Sequence, residues 1–275
     1  MKVYDCFIFF NELELLEIRL NEINDYVDYF VLVECTETFS KKKKELFFEN
    51  NKQRFDKFLD KIIHVVVDDT PEFPGRPGRR GTFHSRHDVE WFQRDCIGRG
   101  IKNCKENDLI LLSDVDEIPN VKAIEAAKKM FLDEKSTDVV TFNQDLFYYY
   151  LNGLCVMNNR KQVWHGTTAT LYKNFNGAEN MRKTKGRNAR KIENGGWHFS
   201  FIGGVEKIKT KIESFAHAEW DNDSIKNEER LKNKLARGED LFDRNDKPRQ
   251  IYVDIDQSFP EYIQNNIEKF SNLIK

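Results

Sequence analysis

Three segments with different hydrophobic periods follow one another inside the first 35 residues. Residues 2–10, KVYDCFIFF, are almost wholly apolar and too short for a helix core. Residues 12–24 then place Leu13, Leu16, Leu20 and Ile23 three and four apart, the buried stripe of an amphipathic helix. Residues 28–34, DYFVLVE, return to a strand-like run. A strand, a helix and a strand in this order predict a right-handed βαβ unit, and so a parallel sheet packed between helices.

The alternation continues. Residues 47–60 read as a short helix and 62–67, IIHVVV, as a third strand. Between residues 71 and 81, three prolines and three glycines exclude regular structure and present Arg76, Arg79 and Arg80 on a loop. A helix is expected over 84–102, a strand over 108–113 and a helix over 121–132. Extended segments follow at 139–150 and 162–172, then helices at 205–215, 225–237 and 259–273. With 275 residues and no linker or repeat, one α/β domain is the simplest organisation.

Composition removes several function classes. Lys and Arg number 44 against 46 Asp and Glu, a net charge of −2, which argues against a nucleic-acid partner. Five scattered cysteines without a CxxC pair read as buried free thiols. No apolar run reaches membrane length, and the N-terminal run lacks a cleavage signature. The expectation is a soluble, cytoplasmic protein.

The chemistry concentrates in LLSDVDEIP, residues 111–119. An apolar run typical of a central parallel strand ends in Asp114, Asp116 and Glu117. Ligands of open α/β sheets bind beyond the carboxyl ends of the strands, where these acids fall. If the backbone stays extended, Asp114 and Asp116 point the same way and could share a magnesium or manganese ion. The plainer alternative is an acidic turn that caps the helix near Val121. There is no GxxxxGK[ST], and no GxGxxG follows the first strand, which weakens NTPase and dinucleotide readings.

A second informative stretch is NGGWHFS, residues 194–200, where glycines precede His198. That imidazole is either a third metal ligand or a packed, hydrogen-bonded histidine. Lys211 could reach a diphosphate, and His217 and Glu219 follow it in SFAHAE. The basic run at 181–191 is either a phosphate-contacting lid or a solvated loop.

Several of these pieces, in order, resemble one family. They are FFNELELLEIRLNEINDYVDYFVLVE, TFSKKKKELFF, WFQRD, DLILLSDVDEIP, GWHFSFIGG and KIESFAHAE, spread over residues 3–220. Together they resemble the β-1,4-mannosyl-glycoprotein β-1,4-N-acetylglucosaminyltransferases, the bisecting GlcNAc transferases, with their microbial and viral relatives. The resemblance implies a GT-A-like glycosyltransferase fold, a mostly parallel central sheet flanked by helices, as one catalytic domain over residues 1–275. Residues 1–135 would bind the nucleotide sugar, and 136–275 would form the acceptor side.

It also implies manganese or magnesium held by Asp114, Asp116 and His198. Glu34, Arg94, Asp95, Asp114 and Lys211 would serve the UDP-sugar. Inversion at the anomeric carbon needs a general base, for which Glu219 is preferred and Glu117 is the alternative; Glu206 and Asp145 also qualify loosely. The expected partners are a nucleotide sugar and a glycan or small hydroxyl acceptor. Competing readings are a metal-dependent nucleotidyl transferase or phosphohydrolase, and a non-catalytic carbohydrate-binding module.

Overall fold

The computed structural model describes residues 1–71, 85–133, 138–185, 189–244 and 249–275. The expected loop arginines Arg76, Arg79 and Arg80 lie outside them. The chain opens with β1 (Val3–Phe9), α1 (Leu13–Ile23) and β2 (Tyr29–Cys35), as its periodicity predicts. Then come α2 (Phe47–Asn50), β3 (Ile62–Val67), α3 (Arg86–Asp95) and α4 (Ile97–Gly100). The expected helix over 47–60 is α2 followed by a 3-10 segment, Lys52–Lys61, kinked at Phe55. β4 (Leu109–Asp114), β5 (Glu117–Pro119) and α5 (Val121–Asp133) carry the acidic motif and its exit.

The second half holds β6 (Val140–Tyr148), β7 (Gly153–Met157), β8 (Arg160–Lys161) and β9 (Val163–Leu171). It continues with α6 (Ala178–Lys183), β10 (Arg190–Ile192), β11 (Gly196–Ser200) and α7 (Gly204–Ser214). α8 (Asp223–Lys226), α9 (Glu228–Arg237), β12 (Arg249–Tyr252) and α10 (Glu261–Gln264) complete it. The long helix expected over 259–273 is only α10 and a terminal 3-10 turn, Ser271–Leu273.

The sheet runs β12-β7-β6-β9-β4-β1-β2-β3. β4, β1, β2 and β3 are parallel, the product of the βαβ opening. β9 then inserts antiparallel to both β4 and β6. The expected mostly parallel sheet is therefore corrected to a mixed one. The reason is connectivity: a tight turn joins β6 to β7, and such turns make antiparallel neighbours, whereas parallel strands need long crossovers. β11 joins β6 in parallel and β5 antiparallel, so the sheet folds round onto the exit of the acidic motif.

Strand alternation explains the two buried faces. In β1, Val3, Phe7 and Phe9 face the core beneath α1 and α5, while Tyr4 and Cys6 face that beneath α4 and α6. β4 splits likewise into Leu109 and Leu111 on one side, Ile110 and Leu112 on the other. This fixes where the next residues look: Ser113 continues the first face and Asp114 the second. All five cysteines are free thiols, and four are buried. Among the described residues, no helix is long and apolar enough to cross a membrane.

Candidate functional site

The acidic motif is shaped from below by a group that sequence reasoning passed over. Arg19 of α1 is fully buried and pairs with Asp5 of β1, Nη2 to Oδ1 at 2.6 Å and Nε to Oδ2 at 2.7 Å. Its guanidinium also donates to Ser113 Oγ and to the carbonyls of Asp114, Val115 and Glu117. One side chain thus holds the backbone of the turn in place. A clue existed in the sequence. Asp5 interrupts an apolar strand, and Arg19 falls between Leu16 and Ile23 on the apolar stripe of α1.

The turn at Val115–Asp116 ends the extended backbone, so the two aspartates are not presented as a strand pair. Asp114 faces the α3 and α6 side. Its Oδ2 meets Arg182 Nη2 at 2.6 Å, and its Oδ1 lies 3.5 Å from Arg94. Asp116 instead accepts from Lys211 Nζ at 2.9 Å and stands 3.7 Å from His198 Nε2. Glu117 is wholly enclosed. It accepts from Lys185 on both oxygens, from Trp164 Nε1 at 2.7 Å and from the Asp114 amide at 3.0 Å.

The electrostatics follow from these pairs. Burial opposes ionisation of Asp116, but Lys211 and His198 hold its carboxyl well below the usual range. Glu117 is likewise held low, by Lys185 and Arg182 against its burial. Asp114 is lowered by Arg182 and Arg94 against the same desolvation. Lys211 is raised because Asp116 outweighs the burial of its ammonium. Burial and the neighbouring Arg182 push the Lys185 ammonium down to about 8.

β11 reaches this cluster through a close backbone approach. Gly196 has φ of 133°, and a Cβ there would sit 2.1 Å from the Ile118 carbonyl oxygen. Only glycine permits β11 to lie so close to β5. That contact sets His198 opposite Glu117 in the register. The Trp164 ring packs 4.6 Å from the His198 ring, and His198 Nδ1 is buried without a hydrogen-bond partner.

The donor set Asp114, Asp116 and His198 has the chemistry of a divalent-metal site, and in this structure fixed cations pair with both of its carboxylates. Arg182 sits on Asp114 and Lys211 on Asp116. Among the described residues, no three His, Cys, Asp or Glu side chains are grouped to hold an ion. The motif's own turn separates the carboxylates, and fixed cations neutralise them.

The other expected residues are placed as follows. Glu34 is fully buried beneath the sheet edge; it accepts from the Phe48 amide and pairs with Lys44 and His64, so it does not line the cavity. Arg94 is buried between Glu90, Glu179 and Asp114. Asp95 accepts from the Glu179 amide and so caps α6. Neither Arg94 nor Asp95 lines the cavity, while Asp114 and Lys211 do. Glu219 is exposed and hydrogen-bonded to His217. Glu206 is exposed at the start of α7, and Asp145 pairs with Lys161. In the basic run, Arg182 and Lys185 meet the acids, and residues 186–188 lie outside the described ones.

A cavity of about 190 Å³ opens beyond the carboxyl ends of β1, β2 and β4. Ile8, Phe9, Phe10 and Phe39 supply apolar walls, and Asp114, Asp116 and Lys211 a charged end. Aromatic walls beside charged side chains, Lys44 and Lys211 among them, suit a planar base joined to phosphates.

A model of a protein family described as glycosyltransferase family 17 matches residues 1–254. The beta-1,4-mannosyl-glycoprotein 4-beta-N-acetylglucosaminyltransferases of Homo sapiens and Rattus norvegicus are each 30% identical over 112 residues, 40% of this chain. That match spans 20% of either relative, about a fifth of its length. Among solved structures, the 2-C-methyl-D-erythritol 4-phosphate cytidylyltransferase of Francisella tularensis superimposes over 81% of this chain and all of its own, with a TM-score of 0.38 and 9% identity. The bifunctional IspDF of Campylobacter jejuni covers 78% of this chain and 54% of its own, with a TM-score of 0.36 and 9% identity. Overlaps this loose say nothing about the site.

Proposed function

The chain belongs to glycosyltransferase family 17, and from that membership we propose that it moves a sugar, GlcNAc or glucose, from a UDP-sugar to a hydroxyl of a glycan or small acceptor. The observation that carries the reading is the cavity at the strand ends, where apolar walls from Ile8, Phe9, Phe10 and Phe39 stand among charged side chains that include Lys44, Asp114, Asp116 and Lys211. In this reading the uracil lies among Ile8, Phe10 and Phe39, and the diphosphate meets Lys211. Residues 1–135 serve the donor and 136–275 the acceptor, within one GT-A-like domain.

Transfer is direct displacement. The acceptor oxygen attacks the anomeric carbon as the bond to the diphosphate oxygen breaks, with inversion. Lys211, and Arg182 if it exchanges Asp114 for phosphate, stabilise charge growing on the departing UDP. A base takes the acceptor's proton. Manganese or magnesium at Asp114, Asp116 and His198 belongs to the family-derived part of the proposal. It is supported by the chemistry of that donor set and requires Arg182 and Lys211 to release their carboxylates.

Nucleotidyl transfer or phosphohydrolysis is the second reading. It is favoured by Arg94, Arg182, Lys185 and Lys211 crowding the acids, a charge density suited to a polyphosphate. A carbohydrate-binding role without catalysis is the third. One set of measurements separates them: calorimetry with UDP, with and without manganese, on wild type and Asp116→Ala, beside a screen for UDP release from UDP-sugars. Sugar transfer predicts UDP binding and UDP release. Nucleotidyl transfer predicts pyrophosphate release from a nucleoside triphosphate instead. Undiminished manganese-dependent binding in Asp116→Ala would remove the metal assignment.

A further inference from the structure

Among the described residues, every carboxylate that lines the cavity is already engaged. Glu12 accepts from the Phe10 and Asn11 amides, and Glu37 pairs with Lys41. Glu90 pairs with Arg94 at 2.6 Å, and Asp114 and Asp116 pair with Arg182 and Lys211. Asp114 and Asp116, held below the usual carboxylate range by these cations against their burial, are poor acceptors of a further proton. One cavity-lining base differs. His217 is hydrogen-bonded to a carboxylate outside the cavity, Glu219, with Nδ1 to Oε1 at 2.8 Å.

That bond assigns the tautomer. Glu219 is held below the usual carboxylate range, against partial burial, by its own backbone amide and by His217. An ionised carboxylate only accepts, so Nδ1 donates to Glu219, and in the neutral imidazole the lone pair is then on Nε2. The loop is also fixed in place. Arg86 of α3 donates to the Phe215 carbonyl and pairs with Asp221 at 2.7 Å, and Lys226 holds the other oxygen of Asp221. From α3, His87 packs edge-on against the His217 ring at 5.0 Å, and Glu90 bonds the far side of His87.

Resting on the sugar-transfer reading above, we propose that His217 is the general base and that Glu219 is its positioning residue. His217 Nε2 takes the proton of the attacking hydroxyl as its oxygen bonds the anomeric carbon. The electron pair of the broken carbon–oxygen bond leaves on UDP. The imidazolium formed is stabilised by Glu219, which keeps its hydrogen bond throughout. Glu219 thus acts through the histidine rather than on the sugar.

The test follows UDP release from UDP-GlcNAc and from UDP-glucose, with water as acceptor, across pH. His217→Ala should bind UDP as wild type does and lose about 100-fold or more in kcat. The wild-type rate should fall toward acid as His217 is protonated, and His217→Ala should lack that limb. Glu219→Gln should lose about tenfold and move the limb to lower pH, because the imidazolium has lost its anion. His87→Phe should keep the limb, which separates the two histidines. Wild-type kcat and an unchanged acid limb in His217→Ala overturn the base assignment and leave sugar transfer standing. Absence of UDP release from any UDP-sugar by the wild type overturns both.

Discussion

At the residue scale, the site depends on a charge buried directly beneath the acidic turn. Arg19 has no exposed surface and ties Asp5 to three carbonyls of the acidic turn. Removing it strands the Asp5 carboxylate and frees the turn together. Arg19→Met should therefore cost about 3–5 kcal/mol, the usual penalty for breaking a buried pair from one side. Urea unfolding reads the loss, and UDP affinity should fall with it. The acids above also make stability depend on pH. Asp114, Asp116 and Glu117 all have carboxyls held below the ordinary range. Their contribution is complete above about pH 4–5 and is lost as the pH falls toward their folded values. Lys211→Met should flatten that acid limb in the urea midpoint, because Asp116 loses its main partner. The acids were legible from LLSDVDEIP alone. Their partners were not, because no local pattern says which of many lysines and arginines returns from 65 to 95 residues away.

At the element scale, α6 and the turn after it deliver cations rather than cover a core. Asp95 caps its start, and Arg182 and Lys185 reach back to Asp114 and Glu117. The basic run that contains them reads locally as a solvated loop or a lid, since six lysines and arginines in eleven residues signal no buried face. Elements with a period were legible: β1, α1, β2 and α5 fall where their apolar spacing places them. Elements without one were not. Residues 259–273 yield only a short helix and a 3-10 turn, for Asn265 and Asn266 break the segment where α10 ends. A titration tests the α6 assignment. Lys185 has a folded value near 8, below the 10.4 or so of an unfolded lysine. Between the two values the unfolded chain binds more protons, so this group's contribution to stability rises with pH. Relative to Lys185→Met, wild type should gain about 1–3 kcal/mol across that window. A flat difference between the two urea midpoints would place Lys185 in solvent.

At the scale of the whole molecule, the candidate site lies where a parallel half meets an antiparallel one. β4, β1 and β2 end at the cavity, and β9 then reverses direction between β4 and β6. The parallel half was legible because a βαβ unit is local in sequence. The reversal was not, because β9 reaches β4 across more than 50 residues, and hydrophobic alternation is the same for either strand direction. The halves are also joined above the acidic motif, by β11 lying antiparallel to β5. That seam admits no side chain at Gly196, where a Cβ would meet the Ile118 oxygen at 2.1 Å and the Asn120 nitrogen at 2.8 Å. Its φ of 133° adds strain for any other residue. Gly196→Ala must push β11 off β5, which moves His198 away from Asp116 and Glu117. It should cost at least about 1–3 kcal/mol and weaken UDP binding together. Gly98→Ala is the matched comparison. It lies in α4 with nothing within 4 Å of the added Cβ, so it should be neutral or stabilising by about 0.4–1 kcal/mol, with UDP affinity unchanged. If Gly196→Ala lost stability but kept wild-type UDP affinity, β11 would be a structural seam only, and His198 would have no part in holding the donor.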